Sequence, residues 1–215
     1  MNANRKTTAV IGSLFILAIF AYASGDGQIS PVIQKPANLA MAKTQLITGA
    51  SLLLANNLFI VLIGILVFPI LKTYHKKIAL IYTSTRVIEA ILLTIGAIGF
   101  LTLPSLNAPA GSFKEWAQWA SQNNFLCYQI AMLILGAGSV VFCGLLYDTQ
   151  LIPRWLSVWG IIGYFGLLVG ALAELFGFPI GIMLAIPGGL FELVFGIWLM
   201  FKGFGAVSQT NVKLA

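Results

Sequence analysis

The sequence predicts an all-α membrane protein: a polytopic bundle of six transmembrane helices, with both termini in the cytoplasm and a single domain over residues 1–215. Hydrophobic residues make up 59% of the chain and charged residues 8%. An ordinary soluble domain carries about 25% charged residues, so a soluble globule of this composition could not cover its surface. The apolar runs are continuous rather than alternating, which favours helices over barrel strands because a helix satisfies its own backbone in lipid.

Six apolar segments are long enough to be spans, since a helix needs about 20 mostly apolar residues to cross about 30 Å of hydrocarbon. In chain order, they lie near Thr8–Ala23, Gly49–Leu71, Ile78–Leu103, Asn124–Tyr147, Trp155–Phe176 and Met183–Phe201. The segments between them are too short for a soluble domain.

The first span has two interpretations. Arg5 and Lys6 precede a short apolar stretch, and Ala21-Tyr22-Ala23 is similar to a signal-peptidase site. We favour a retained helix over a cleaved signal peptide.

The basic residues predict the orientation of the bundle. The formal net charge is +6. With six spans and the N-terminus inside, the cytoplasmic segments hold Arg5, Lys6, Lys72, Lys76, Lys77, Arg154, Lys202 and Lys213. The outer segments hold Lys35, Lys43 and Lys114. An excess of Lys and Arg on the cytoplasmic side is the bias expected of a membrane protein, and without an aromatic-interleaved basic patch we expect no nucleic-acid partner.

The two longer outer connections are predicted to differ in structure. Residues 25–48 are expected to be a connection broken by Pro31 and Pro36. Residues 111–124, "GSFKEWAQWASQNN", place apolar side chains on one helical face. We interpret this stretch as a short separate helix lying in the outer interface.

Charged residues inside the spans are the most unusual feature of the chain. Arg86, Glu89, Glu174 and Glu192 all lie within predicted helices. A charge at mid-helix costs roughly 2.5–3.5 kcal/mol on insertion scales, so such residues usually face the bundle interior and pair there. Arg86 and Glu89 are three residues apart and share a helical face, which predicts that they neutralise each other.

The candidate site extends beyond this pair. The helical rise places Glu192 near the midplane together with Arg86 and Glu89, and Asn56 and Asn57 at a similar depth. Two glutamates and one arginine leave one negative charge in excess. We therefore expect one carboxyl group to be protonated or to bind a cation.

Three functional interpretations remain open for this cluster. It locks the third helix against the sixth, it receives a small ligand, a lipid headgroup or a partner helix, or it serves a small ion- or proton-coupled transporter that uses Glu89 and Glu192. The leading hypothesis is binding or bundle locking without chemistry. No nucleophile–base pair or set of metal ligands is visible in the sequence, so we expect no enzyme activity, cofactor or metal.

The bilayer is the one partner that the composition requires, and a homo-oligomer remains open. Gly166 and Gly170 have the spacing that lets two helices approach closely, within the bundle or between copies. Pro187, just before Glu192, could kink or unwind the sixth helix.

Three segments resemble a known family. They are "TRVIEA" (Thr85–Ala90), "LIPRWLSVWGIIGY" (Leu151–Tyr164) and "FELVFGIWLMFKGF" (Phe191–Phe204). On these residues the chain resembles a bacterial multi-pass membrane family catalogued as a domain of unknown function. The resemblance implies about six helices in a bacterial plasma (inner) membrane. It brings no established activity, so it assigns no role to any residue.

Overall fold

The computed structural model describes residues 3–34, 39–103 and 110–205. Six α-helices follow one another in this part of the chain: α1 (Ala3–Gln34), α2 (Leu39–Leu71), α3 (Lys76–Thr102), α4 (Ala110–Thr149), α5 (Arg154–Leu175) and α6 (Gly181–Phe201). Each is long and apolar enough to cross a membrane. The prediction of a six-helix, multi-pass membrane protein is therefore confirmed.

The six helices form a closed ring. Each helix packs against its neighbours in the chain, α6 closes the ring against α1, and α1 also touches α4 across the interior. In this arrangement α3 and α6 occupy opposite positions. We call the end of the ring at which α1 begins the basic end, because Arg5, Lys72, Lys76, Arg154 and Lys202 lie there, and the opposite end the extended end.

Close helix contacts in the ring depend on glycine. A Cβ atom on Gly196 of α6 would lie 3.0 Å from the carbonyl oxygen of Gly12 on α1. A Cβ atom on Gly136 of α4 would lie 2.9 Å from the carbonyl oxygen of Tyr164 on α5. Small residues let transmembrane helices approach in this way because the backbones themselves come into contact.

Three helices are much longer than the sequence predicted. α1, α2 and α4 contain 32, 33 and 40 residues, or about 48–60 Å at ~1.5 Å per residue. The prediction of a broken connection over residues 25–48 is wrong, because α1 runs to Gln34, with Pro31 near its end, and α2 begins at Leu39. Pro36 and Lys35 lie outside the described residues.

The separate interfacial helix is also a wrong prediction. Residues 110–149 form one continuous helix, so the segment "GSFKEWAQWASQNN" continues directly into the fourth span. The physical reason is an apolar cluster at the extended end, which packs α1, α2, α3 and α4 against one another. Its buried members are Ile29, Val32, Ala42, Leu46, Ala50, Leu53, Ala97, Phe100, Leu103, Ala117 and Ala120.

The two remaining helices, α5 and α6, stop short of this layer. They contain 22 and 21 residues, about 32 Å each at ~1.5 Å per residue, which matches the hydrocarbon thickness. Glu174 Oε1 accepts a hydrogen bond from the backbone N–H of Gly181 at 2.9 Å and so joins the end of α5 to the start of α6. α6 is continuous through Pro187 rather than unwound.

Candidate functional site

Arg86 lies at the centre of the ring, on the inner face of α3, with its side chain 2% exposed. Its Nη1 donates a hydrogen bond to Glu89 Oε2 at 3.0 Å, and its Nε donates to the hydroxyl oxygen of Tyr82 at 3.1 Å. Tyr82 and Glu89 lie four residues before and three residues after Arg86, so all three share one helical face. One stretch of α3 therefore supplies most of the partners of the guanidinium group.

Glu192 reaches the same guanidinium group from α6, on the opposite side of the ring. Arg86 Nη2 donates to Glu192 Oε1 at 3.4 Å, and the hydroxyl of Tyr164 on α5 donates to the same oxygen at 2.8 Å. The side chain of Glu192 is 20% exposed, against 3% for Glu89. Three helices are thus joined through one carboxylate that still has an open side.

A cavity of about 260 Å³ lies against this ion-pair cluster, which we define as Arg86, Glu89 and Glu192. All six helices contribute to its wall. The lining residues are Phe15, Ala18, Ile19, Tyr22, Ala23, Asn56, Ile60, Ile63, Arg86, Glu89, Leu93, Tyr128, Met132, Leu135, Tyr164, Leu167, Ala185, Gly188, Gly189 and Glu192.

Aromatic side chains fill the interior on the basic-end side of the cluster. The Phe15 ring lies 5.3 Å from Arg86 Cζ and packs edge-on against Phe195 with centroids 5.4 Å apart. Tyr82 stacks on Phe142 at 4.1 Å. These rings come from α1, α3, α4 and α6, so the cavity is closed in this direction. A cation over an aromatic face is also stabilised, by ~0.5–2 kcal/mol.

Towards the extended end, the cavity is bounded by Tyr22 of α1, which stacks on Tyr128 of α4 at 5.9 Å. The lining residues from α2 and α3 are all buried. The exposed lining residues are Ala23 on α1 and Gly189 on α6. The cavity therefore opens sideways, between α1 and α6.

The two asparagines of the predicted site lie 3.0 Å apart through their side-chain amides but have different surroundings. Asn56 is buried and lines the cavity, whereas the Asn57 amide lies 3.0 Å from the Thr94 hydroxyl of α3. Consecutive residues of a helix point about 100° apart, so both cannot face the same cavity. Asn56 is part of the wall, and Asn57 joins α2 to α3.

Two tyrosines of the site were not predicted from the sequence. Tyr82 had a usable signal, because it lies one helical turn before Arg86. Tyr164 had none, because its contact with Glu192 depends on how α5 packs beside α6.

The ion-pair cluster contains more hydrogen-bond acceptors than hydrogen-bond donors. Two carboxyl groups share one guanidinium group, and Arg86 already donates from Nε, Nη1 and Nη2. Within the described ranges, no group of three or more His, Cys, Asp or Glu residues could hold a metal ion. Three of the five guanidinium N–H groups are used in these hydrogen bonds, and each carboxylate has about four acceptor sites, so most of the unused capacity lies on carboxylate oxygen.

The fold and this cluster define a multi-pass helical membrane protein with a buried ion pair at the base of an interior cavity. More specifically, residues 10–203 match the model of the family described as domain of unknown function DUF4386, and the chain belongs to that family. Two of the three segments with the family resemblance lie within this range, and the third, Phe191–Phe204, extends one residue beyond it. No match was found among curated proteins or among solved structures.

Proposed function

We propose that this protein is a non-catalytic binding protein that takes up a small molecule in its interior cavity, at the level of Arg86, Glu89 and Glu192. The observation that carries the proposal is the cavity of about 260 Å³ that reaches the exposed side of Glu192. Ligand pockets are typically apolar clefts with a few convergent polar groups, and this cavity has that composition.

The cavity favours binding over a purely structural lock. A lock requires a dry cluster in which each charged group is fully paired, since an unpaired buried charge is destabilising. Both hydrogen bonds of Glu192 within the described part of the chain use Oε1, and its side chain borders open space. The pair Arg86–Glu89, which is almost fully buried, is closer to the description of a lock than Glu192 is.

The lining supports binding without chemistry. Among the described residues that line the cavity there is no Ser, Thr, Cys, Lys or His. Enzymes draw many of their nucleophiles and bases from these residue types, so the carboxyl and phenol groups of this wall have no catalytic partner of these types among the described lining residues. The polar groups present are amide, phenol, guanidinium and carboxylate, which suit recognition of a ligand.

We place the protein in the plasma membrane of a bacterium, with the basic end in the cytoplasm. The support is the concentration of Lys and Arg at that end, as the positive-inside bias requires. In this orientation the cavity opens in the outer half of the bilayer.

A co-purification experiment tests the proposal for a ligand of any identity. Protein extracted into nanodiscs is analysed by native mass spectrometry for a small molecule bound one to one. Gly189→Leu places a side chain at the mouth of the cavity, where a Cβ atom meets no atom within 4 Å. Gly144→Leu is the matched control, since its Cβ is equally free and lies outside the cavity lining.

We expect the bound molecule in wild type and Gly144→Leu, and its loss in Gly189→Leu. Equal occupancy in all three proteins, or no bound molecule in any, would contradict a binding role for this cavity.

A small ion- or proton-coupled transporter is the second candidate. The favouring observation is a cavity open on one side of the charged cluster and closed by aromatic rings on the other, as in one state of alternating access. Reconstituted protein should then conduct a coupled flux that Glu89→Gln and Glu192→Gln abolish. Wild-type flux in both variants would exclude this mechanism.

A further inference from the structure

Resting on the proposed binding function, we propose that the ligand is a protonated amine with a short apolar body, which enters from the lipid between α1 and α6 and donates a hydrogen bond to Glu192. The entry route and the ammonium group follow from separate observations, which concern the mouth of the cavity and the charges at its base.

The charge balance at the base of the cavity favours a cationic donor. Arg86 directs its Nη1 to Glu89 and its Nη2 to Glu192, and the Tyr164 hydroxyl is also directed to Glu192. The cluster contains one cation, Arg86, and two carboxyl groups. A positively charged ligand would therefore neutralise the remaining negative charge. An anion would meet two carboxylates and a guanidinium group that is already paired.

The remaining walls select an organic cation over a bare metal ion. Hard metal cations take about six or more oxygen ligands, whereas most residues around this cavity are apolar or aromatic. Phe15, Tyr22, Tyr128 and Tyr164 supply rings that attract ammonium groups. The volume of about 260 Å³ lies below the range of about 300–1,000 Å³ typical for drug-sized ligands, so the apolar body is short.

The mouth of the cavity lies between lipid-facing surfaces. Gly189 is eight residues from the start of α6, or ~12 Å along a helix that matches the hydrocarbon thickness. On either side of it, Ile182, Ile186 and Leu190 are 79%, 55% and 50% exposed. A ligand that passes Gly189 therefore comes from the hydrocarbon rather than from water.

An acidic residue lies one helical turn beyond this mouth, towards the extended end. Asp26 is exposed on α1, three residues beyond Ala23, so the two share a helical face. A negative charge at this position attracts a cationic headgroup to the opening before its apolar body enters.

Thermal unfolding in phosphatidylcholine nanodiscs tests the ligand class. Hexylammonium, 1-hexanol and hexanoate share a six-carbon chain and differ in the charge of the head group. Sodium ion carries the positive charge without an apolar body. Ligand binding to the folded state raises the unfolding temperature, by roughly 5–10 °C near 100 times the dissociation constant. We expect this rise with hexylammonium alone, and its loss in Glu192→Gln and Gly189→Leu. The controls Glu115→Gln, at an exposed position of α4, and Gly144→Leu should keep it.

A second set of nanodiscs, made with phosphatidylethanolamine and no added amine, identifies the source of the ammonium group. If the unfolding temperature rises in these nanodiscs and Gly189→Leu removes the rise, the ligand is a lipid headgroup. If the unfolding temperature rises only when hexylammonium is added, the ligand is a free amine.

The outcomes separate the two proposals. A Gly189-dependent rise with hexanol or hexanoate keeps the binding function and overturns the amine. An ammonium response that persists in Gly189→Leu overturns the entry route. No response of the wild-type protein to any compound or to phosphatidylethanolamine contradicts the binding function as well.

Discussion

Arg86 and Glu192 meet across the centre of the ring, with Nη2 of the first 3.4 Å from Oε1 of the second, although 106 positions separate them in the sequence. Their helices occupy opposite positions, and these long side chains bridge the interior between them. The stability of the interior therefore depends on the guanidinium group, which lies between the two carboxyl groups.

Removal of that guanidinium group should be strongly destabilising. Arg86→Leu leaves Glu89 and Glu192 together in the interior without a counter-charge, and loss of one partner of a buried pair typically costs about 3–5 kcal/mol. Arg86→Leu combined with Glu89→Gln removes one of the two carboxylates and should recover part of this loss. Unfolding by denaturing detergent measures both variants. A double variant less stable than the single one would show that the carboxyl groups do not repel each other.

The glycine contact between α1 and α6 should be sensitive to the addition of a single methyl group. In Gly12→Ala the new Cβ meets the carbonyl oxygen of Gly196, and such overpacking typically costs about 1–3 kcal/mol. Gly144→Ala is the control, because its Cβ meets open space and alanine favours helix by ~0.5–1 kcal/mol. Thermal unfolding in nanodiscs should therefore move in opposite directions for the two variants. Equal shifts would mean that the helices separate without cost.

Loss of apolar packing at the extended end should destabilise that end of the bundle without disturbing the ion-pair cluster. Phe100→Ala removes a buried ring from the apolar cluster that joins α1, α2, α3 and α4. Truncation of a buried phenylalanine to alanine typically costs about 3–5 kcal/mol. Hydrogen–deuterium exchange should rise in peptides that contain Ile29 and Leu46. Trp119→Ala is the control, since that ring is 53% exposed. Unchanged exchange in Phe100→Ala would show that these helices do not depend on the cluster.

Cysteine labelling should establish the orientation of the bundle. In a background with Cys127 and Cys143 replaced by Ser, Thr73→Cys lies in the turn at the basic end and Gln118→Cys lies at the extended end, both exposed. An impermeant maleimide added to intact cells should label Gln118→Cys and reach Thr73→Cys only after the cells are opened. The reverse pattern would contradict the orientation inferred from the basic residues.

Helix number was more predictable from the sequence than helix length. The cost of free backbone groups in lipid makes a long apolar run a helix whatever its neighbours are, so six spans could be counted directly. Residues 25–34 and 110–123 contain Gly, Pro and polar residues, and their helical structure depends on a shared apolar layer. The sequence pattern does not show that such a layer forms, because its partners come from four helices.

Some features of the candidate site were also predictable from the sequence, and others were not. The pairing of Arg86 with Glu89 follows from their spacing on one helix, and the excess of one negative charge follows from counting. The position of Glu192 beside them and the hydroxyl of Tyr164 depend on how the ring closes. Which of the two asparagines lines the cavity depends on how α2 packs in the ring.

The sequence by itself determined that this chain spans a membrane six times and that its few buried charges must find partners inside the protein, because hydrocarbon solvates neither charges nor free backbone groups. Only the tertiary structure decided that a cavity remains beside those charges and that it opens between α1 and α6. The reason is packing: beyond Gly12, α1 continues into a layer with α2, α3 and α4 that the shorter α6 does not join.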